Sequence, residues 1–187
     1  MRIIGGKFKG RRFNPPADKW PTRPTTDYSK EALFNILNNL LDFESVKVLD
    51  LFGGTGSHCY EFISRGCQDV TYVDKFPACV SFARKMCKEL KIEEGIKIMQ
   101  MDVFRFLDYT TAQYDYIFAD PPYDLPTLGT IPALIFEKNL LTPDGILVLE
   151  HNSHNDFSND PHRTDVRNYG QTMFSFFAHT GAAEAAK

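Results

Sequence analysis

No run of apolar residues in this 187-residue chain approaches the roughly 18 that a membrane-spanning helix needs, so a membrane-embedded protein is not expected. The opening MRIIGGKFKG has no apolar stretch of the kind that directs export, and secretion is not expected either. Cysteine is scarce. Cys59, Cys67, Cys79 and Cys87 form no C-x-x-C pair and no Cys/His group at zinc spacing, so zinc and dithiol redox motifs are missing and four free thiols fit a reducing cytoplasm. His151 and His154 come nearest to a ligand pair, but they stand among Asn, Ser and Asp, and no metal is expected there. Internal repeats are lacking, and the one low-complexity stretch is the small-residue tail 181–187, expected to fray.

What is present is the profile of one globular domain, with 43% hydrophobic and 24% charged residues. The net charge of -3 excludes a wholesale polyanion binder, yet its distribution is uneven. Residues 1–30 hold eight basic side chains against Asp18 and Asp27, a net +6, and the other 157 residues carry -9. The basic residues alternate with Ile3, Ile4, Phe8 and Phe13, which favours a surface that meets an anionic partner over a merely solvated tail.

Along the chain, helical and extended patterns alternate. Ala32, Leu33, Ile36, Leu37, Leu40 and Leu41 make a stripe of period 3.6, which predicts a helix over Asp27–Leu41. A short apolar strand from Val46 to Phe52 then runs into Gly53, Gly54 and Gly56, followed by a helix that Gly66 closes. Further strands are expected over 70–74, 96–102, 114–120 and 145–151, with helices from Pro77 to about Leu90, up to Asp108, and near 130–138. Apolar strands separated by helices are buried on both faces, which predicts a doubly wound, mostly parallel α/β sheet. Two strands about Tyr169-Gly170-Gln171 complete it as a C-terminal antiparallel hairpin, giving seven strands. In such a sheet ligands bind outside the carboxyl ends of the strands. Asp50, Asp74, Asp102 and Asp120 all fall there.

Each of these positions has a chemical reading. Against the dinucleotide pattern G-x-G-x-x-G, Gly54 and Gly56 match but Cys59 replaces the third glycine, and no Lys-Ser/Thr pair follows as a triphosphate loop requires. Asp74 is suited to ribose hydroxyls or to a plain surface turn. Asp50, beside the glycines, would repel a pyrophosphate and attract a cation such as S-adenosylmethionine, or be satisfied by nearby backbone N–H groups. Asp102 is placed for an adenine amino group or to cap the next helix. In Asp120-Pro121-Pro122-Tyr123 the prolines remove two donors and fix φ, leaving an acceptor-only wall of carboxylate and carbonyls. That wall suits an exocyclic amine, and Tyr123 offers a face for its base.

The glycine turn DLFGGTG, the Asp74 strand end and DPPY resemble class I S-adenosylmethionine-dependent methyltransferases that act on amino groups of nucleobases. The segments MRIIGGKFKGRR, RPTTDYSKEALFNIL, SRG and RNYGQTMFSFF further resemble the RsmD family of 16S ribosomal RNA (guanine-2-amino) methyltransferases, from Met1 to about Phe177. The loop 151–163 and the tail depart from that pattern. The resemblance implies a Rossmann-like fold with a basic extension over 1–26 and a methyltransferase domain over 27–180. It implies a cytoplasmic catalyst needing no metal, with Asp120, Pro121, Pro122 and Tyr123 at the reacting amine. Arg23, Thr25, Thr26, Phe52 and Val103 would join Asp50, Gly53, Gly54, Gly56, Asp74 and Asp102 around the cofactor. Arg2, Lys7, Lys9, Arg11 and Arg12 would touch RNA phosphate, and the partner would be 16S ribosomal RNA within a small-subunit particle, met by a monomer. The alternatives are an amino methyltransferase acting on adenine in DNA or another RNA, a nucleotide-binding oxidoreductase, and a noncatalytic RNA-binding module.

Overall fold

The computed structural model describes residues 1–16, 20 and 26–179. Seven strands appear in chain order: β1 (Lys47–Leu51), β2 (Asp69–Asp74), β3 (Ile96–Gln100), β4 (Tyr114–Ala119), β5 (Leu141–His151), β6 (Arg163–Tyr169) and β7 (Thr172–Ala178). Helix α1 (Asp27–Leu37) precedes β1, while α2 (Ser57–Ser64), α3 (Pro77–Leu90), α4 (Val103–Tyr109) and α5 (Ile131–Glu137) follow β1 to β4 in turn. The sheet order is β3-β2-β1-β4-β5-β7-β6. Its first five strands are parallel, and β7 enters antiparallel between β5 and the edge strand β6.

Strand β1 shows why the sheet is covered on both faces. Val48 packs with Tyr72 and Tyr116 under helices α1 to α3, whereas Leu49 and Leu51 point the other way, into a cluster with α4 and α5. Helix α1 starts where the Thr26 hydroxyl accepts the Ser29 N–H at 3.1 Å. It stops at Leu37, short of Leu41, because its stripe leaves the core there: Leu40 is 48% exposed. Strand β5 begins at Leu141, earlier than the apolar run suggests. Tyr114 pairs with Leu141 but Tyr116 with Ile146, so residues between bulge out of the ladder. Gly145 sits in that bulge, where a Cβ would lie 2.9 Å from the Tyr114 carbonyl oxygen.

The N-terminal segment folds back onto the domain. Arg2 bridges Arg12, and Ile3 and Phe13 enter the core beside Tyr60. Buried Glu61 on α2 fastens it: one carboxylate oxygen accepts the Ile4 N–H at 2.8 Å, and the other accepts the Gly5 N–H at 2.7 Å and Arg65 Nη2 at 2.8 Å. Lys30, also buried, donates from Nζ to the Arg2 carbonyl and to Ser57 Oγ, and lies 3.9 Å from Glu61. Gly6 has φ +71 and touches the Ser64 carbonyl so closely that a Cβ would be 1.8 Å away, which explains the second glycine of RIIGG.

Candidate functional site

Parallel pairing puts the ends of β1 to β4 along one edge, and with the order β3-β2-β1-β4 the four acidic residues stand in a row. Asp50 is 1% exposed and accepts a hydrogen bond from Cys59 Sγ at 2.9 Å. Burial, with Asp74 nearby, pushes its carboxyl up from 3.8 to about 7. Cys59, the residue in place of the third glycine, is thus the donor to Asp50, and burial beside that carboxylate raises its thiol well above the usual range. Asp74 accepts the Gly54 N–H at 2.9 Å on one oxygen and the Phe76 N–H at 2.7 Å on the other. Burial still raises its carboxyl, against these two donors. Asp102 caps α4 through Oδ1, from Phe104 N at 3.0 Å, while Oδ2 faces Lys75 at 3.5 Å.

The glycine turn is built for close approach. Phe52, Gly54 and Gly56 all have positive φ, at 61°, 51° and 77°. Phe52 is not a glycine, so its left-handed backbone is a strained position of the kind that clusters at functional sites. At Gly53 a Cβ would lie 2.3 Å from the Tyr72 ring, whose hydroxyl donates to the Gly54 carbonyl at 2.8 Å. The turn is therefore clamped from below by Tyr72 and from the side by Asp74.

Beyond β4 the chain enters the proline pair. Asp120 N–H donates back to the Leu51 carbonyl at 3.2 Å, which ties the motif to the end of β1. Tyr123 is fixed by its hydroxyl, which donates to the buried Glu150 carboxylate at 2.8 Å, and burial with that carboxylate raises the phenol above its ordinary range.

A cavity of about 520 Å³ opens over this edge, within the usual range for small-molecule sites. Asp50, Phe52, Gly53, Gly54, Asp74, Asp102 and Val103 line it, and so do Asp120, Pro121, Pro122 and Tyr123. Two expected members do not. Gly56 makes the left-handed cap of α2, and Thr26 spends its hydroxyl on capping α1. Arg23 and Thr25 lie outside the described residues, as does the tail 181–187. Sequence reasoning missed Thr55, Ser57, His58, Lys75, Phe76, Phe118 and Asp124 in the lining. His58 stacks on Phe118 with centroids 3.8 Å apart and shares a hydrogen bond with Tyr116 at 3.2 Å; burial lowers its pKa well below the usual value, so it serves as a neutral wall. The clue to it was its place in the first turn of α2, directly after the glycines.

Of the basic residues, Lys7, Lys9, Arg11 and Arg12 are exposed on the clipped segment, whereas Arg2 is half-buried and faces Glu31 at 3.9 Å.

Strand order, glycine turn and cavity define the fold of the class I S-adenosylmethionine-dependent methyltransferases. An RNA methyltransferase from Salinibacter ruber, solved in complex with S-adenosyl-L-homocysteine, superposes with a TM-score of 0.66 at 15% identity, covering 83% of this chain and 92% of that one. The chain belongs to the family described as conserved hypothetical protein 95, which matches residues 1–178. A Buchnera aphidicola relative named ribosomal RNA small subunit methyltransferase D is 30% identical over 153 residues, covering 80% of this chain and 75% of the relative. The Escherichia coli K12 protein of the same name is 26% identical over 190 residues, covering 99% and 93%.

Proposed function

We propose that this protein transfers a methyl group from S-adenosylmethionine to the 2-amino group of a guanine in 16S ribosomal RNA, acting as a cytoplasmic monomer on small-subunit particles. The observation that carries this reading is the acceptor wall Asp120-Pro121-Pro122-Tyr123 on one side of a cavity whose other side is the glycine turn with Asp50 and Asp74. The cavity fits the cofactor chemically. A molecule with an ammonium group, a sulfonium and a ribose diol meets carboxylates there, and the Cβ-free turn lets it approach the backbone. Asp50 would take the cationic end, Asp74 the diol, and Asp102 with Val103 the adenine. Bound S-adenosylmethionine supplies an electrophilic methyl.

The protein's own part is orientation. The lone pair of a base's amino group is delocalised into the ring, and accepting its two N–H bonds at Asp120 and the Pro121 carbonyl turns that pair toward the incoming carbon. Tyr123, held by Glu150, gives the base a face to rest on. The nitrogen so oriented would take up the donor's methyl, and the surplus proton of the alkylated nitrogen, which would then be acidic, would pass to the Asp120 carboxylate and on to water. Positioning of this kind can supply roughly 7 to 11 kcal/mol of the barrier. The relatives' name supports a small-subunit RNA substrate, and the exposed cations of residues 1–16 supply phosphate contacts beside a catalytic domain running from 27 to 180.

Transfer of labelled methyl to naked 16S RNA, to undermethylated small-subunit particles and to duplex DNA tests the reading. Label is expected in a guanine of RNA, best in particles, and Asp120→Ala should cut turnover by at least about 100-fold while keeping donor affinity within a few-fold. Label in DNA alone, or full turnover by the variant, would sink it.

A further inference from the structure

We propose that Tyr28 and Tyr169 form a stacking platform for an unpaired nucleotide next to the target guanine, an inference that rests on the RNA methyltransferase reading above. The rings come from the first turn of α1 and the last residue of β6, and they meet edge to face with centroids 6.0 Å apart at 81°. Tyr28 is 71% exposed, far more than a large apolar ring needs for helix packing. Single exposed aromatics are ordinary. This pair is set apart by its connections to the site.

Tyr169 pairs with Thr172 across the β6–β7 turn, and the Thr172 side chain hydrogen-bonds the Tyr123 hydroxyl of the acceptor wall. Underneath, Tyr169 packs on Phe174 with centroids 6.0 Å apart, and Phe174 lies 6.3 Å from Phe118, a wall of the cavity. From the other side, Asp27, the neighbour of Tyr28, accepts the Arg2 N–H at 3.3 Å and so joins the start of α1 to the basic segment. The platform thus stands beside the cavity, with Arg2 and, across the Arg2–Arg12 bridge, the exposed Arg12 on its other side.

That placement favours nucleic acid as the occupant. An exposed tyrosine face with Arg12 at hand suits a base whose phosphates are held alongside, whereas an apolar protein anchor would need a pocket to fill. A base drawn into the cavity leaves its neighbour without a stacking partner, and Tyr28 replaces that partner. Because every base has a π-face, the platform holds the flank without specifying its identity.

The test compares Tyr28→Ala, Tyr28→Leu, Tyr28→Phe and Tyr169→Ala on undermethylated small-subunit particles, reading KM and kcat for the particle and, separately, affinity for S-adenosylmethionine by calorimetry. The stacking removed by alanine substitution corresponds to about 5- to 150-fold in affinity. Tyr28→Ala should therefore raise the particle KM by that order with donor affinity unchanged, Tyr28→Phe should restore it, and Tyr28→Leu should not. Tyr169→Ala should give a smaller rise. An unchanged KM for Tyr28→Ala, or a leucine variant as good as phenylalanine, would overturn the platform while leaving the methyltransferase intact. If the unaltered protein labels no ribosomal substrate, the functional reading falls first and the platform with it.

Discussion

Glu61 and Asp50 are both shut away from solvent, yet they end in opposite conditions. Glu61 is saturated: two backbone N–H groups and the Arg65 guanidinium reach its oxygens, with the Lys30 ammonium close by. Asp50 is met by its neighbour Cys59, through thiol and backbone N–H, and has a second carboxylate nearby; its proton is held up to about 7. A buried group that is fully paired has no capacity left for a ligand and works as a fastener. One that is left short keeps an unmet electrostatic demand, which a bound cation can satisfy. The two ends of one glycine turn and helix therefore do different work, holding the chain together at Glu61 and leaving room for chemistry at Asp50.

The largest effect that would break this comparison is at the fastener. Glu61→Ala orphans the Ile4 and Gly5 N–H groups, unpairs the Arg65 guanidinium and leaves buried Lys30 with Asp27 alone as counterion, at 4.0 Å, so urea unfolding should show a loss of about 3 to 5 kcal/mol. A loss under about 1 kcal/mol would mean the clip contributes little.

Asp50 sharpens the contrast through pH. Its folded pKa of about 7 lies above the ordinary 3.8, so the folded protein keeps a proton that the unfolded chain has already released. The associated stability is complete below about pH 4 and is lost as pH rises to about 7, a span of at most about 4 kcal/mol. Asp74, raised for the same reason, adds to the slope in the same sense. Unfolding of Asp50→Asn measured at pH 5 and pH 8 should show a flatter dependence than the unaltered protein. A cation held at Asp50 requires the carboxylate, so affinity for S-adenosylmethionine should weaken as pH falls below about 7, by up to about tenfold per unit, and the asparagine variant should lack that trend. Equal pH profiles for the two proteins would remove Asp50 from donor binding.

The smallest effects belong to the exposed cations. Replacing Lys7, Lys9, Arg11 or Arg12 singly by alanine should leave stability within about 0.5 kcal/mol and lower the salt dependence of RNA binding by about one unit of slope for each phosphate no longer neutralised. A variant with an unchanged slope would show that its residue touches no phosphate.

Much of the site is legible from local pattern. The glycines after an apolar strand, Asp74 at the next strand end and the proline pair after Asp120 each declare a backbone conformation within a few residues, and the cavity collects them except Gly56. Asp102 admits two readings in the sequence, and its two oxygens divide them, one on the helix cap and the other facing Lys75. The roles of His58, Phe118 and Glu150 are not legible, because each depends on what a separate strand or helix brings opposite: Phe118 beneath His58, Tyr123 above Glu150.

The order of the elements followed from the sequence by itself, since hydrophobic period, glycine turns and prolines act over short stretches of chain and fix local geometry. So did the uneven charge, which is a matter of composition. Only the tertiary structure decided that the basic end is clipped to α2 instead of trailing from the domain, that Cys59 meets Asp50, and that Tyr28 and Tyr169 stand together beside the cavity. Those outcomes depend on contacts between residues far apart in the chain, and the free energy of such contacts is set by burial and by which partner arrives, neither of which local pattern contains.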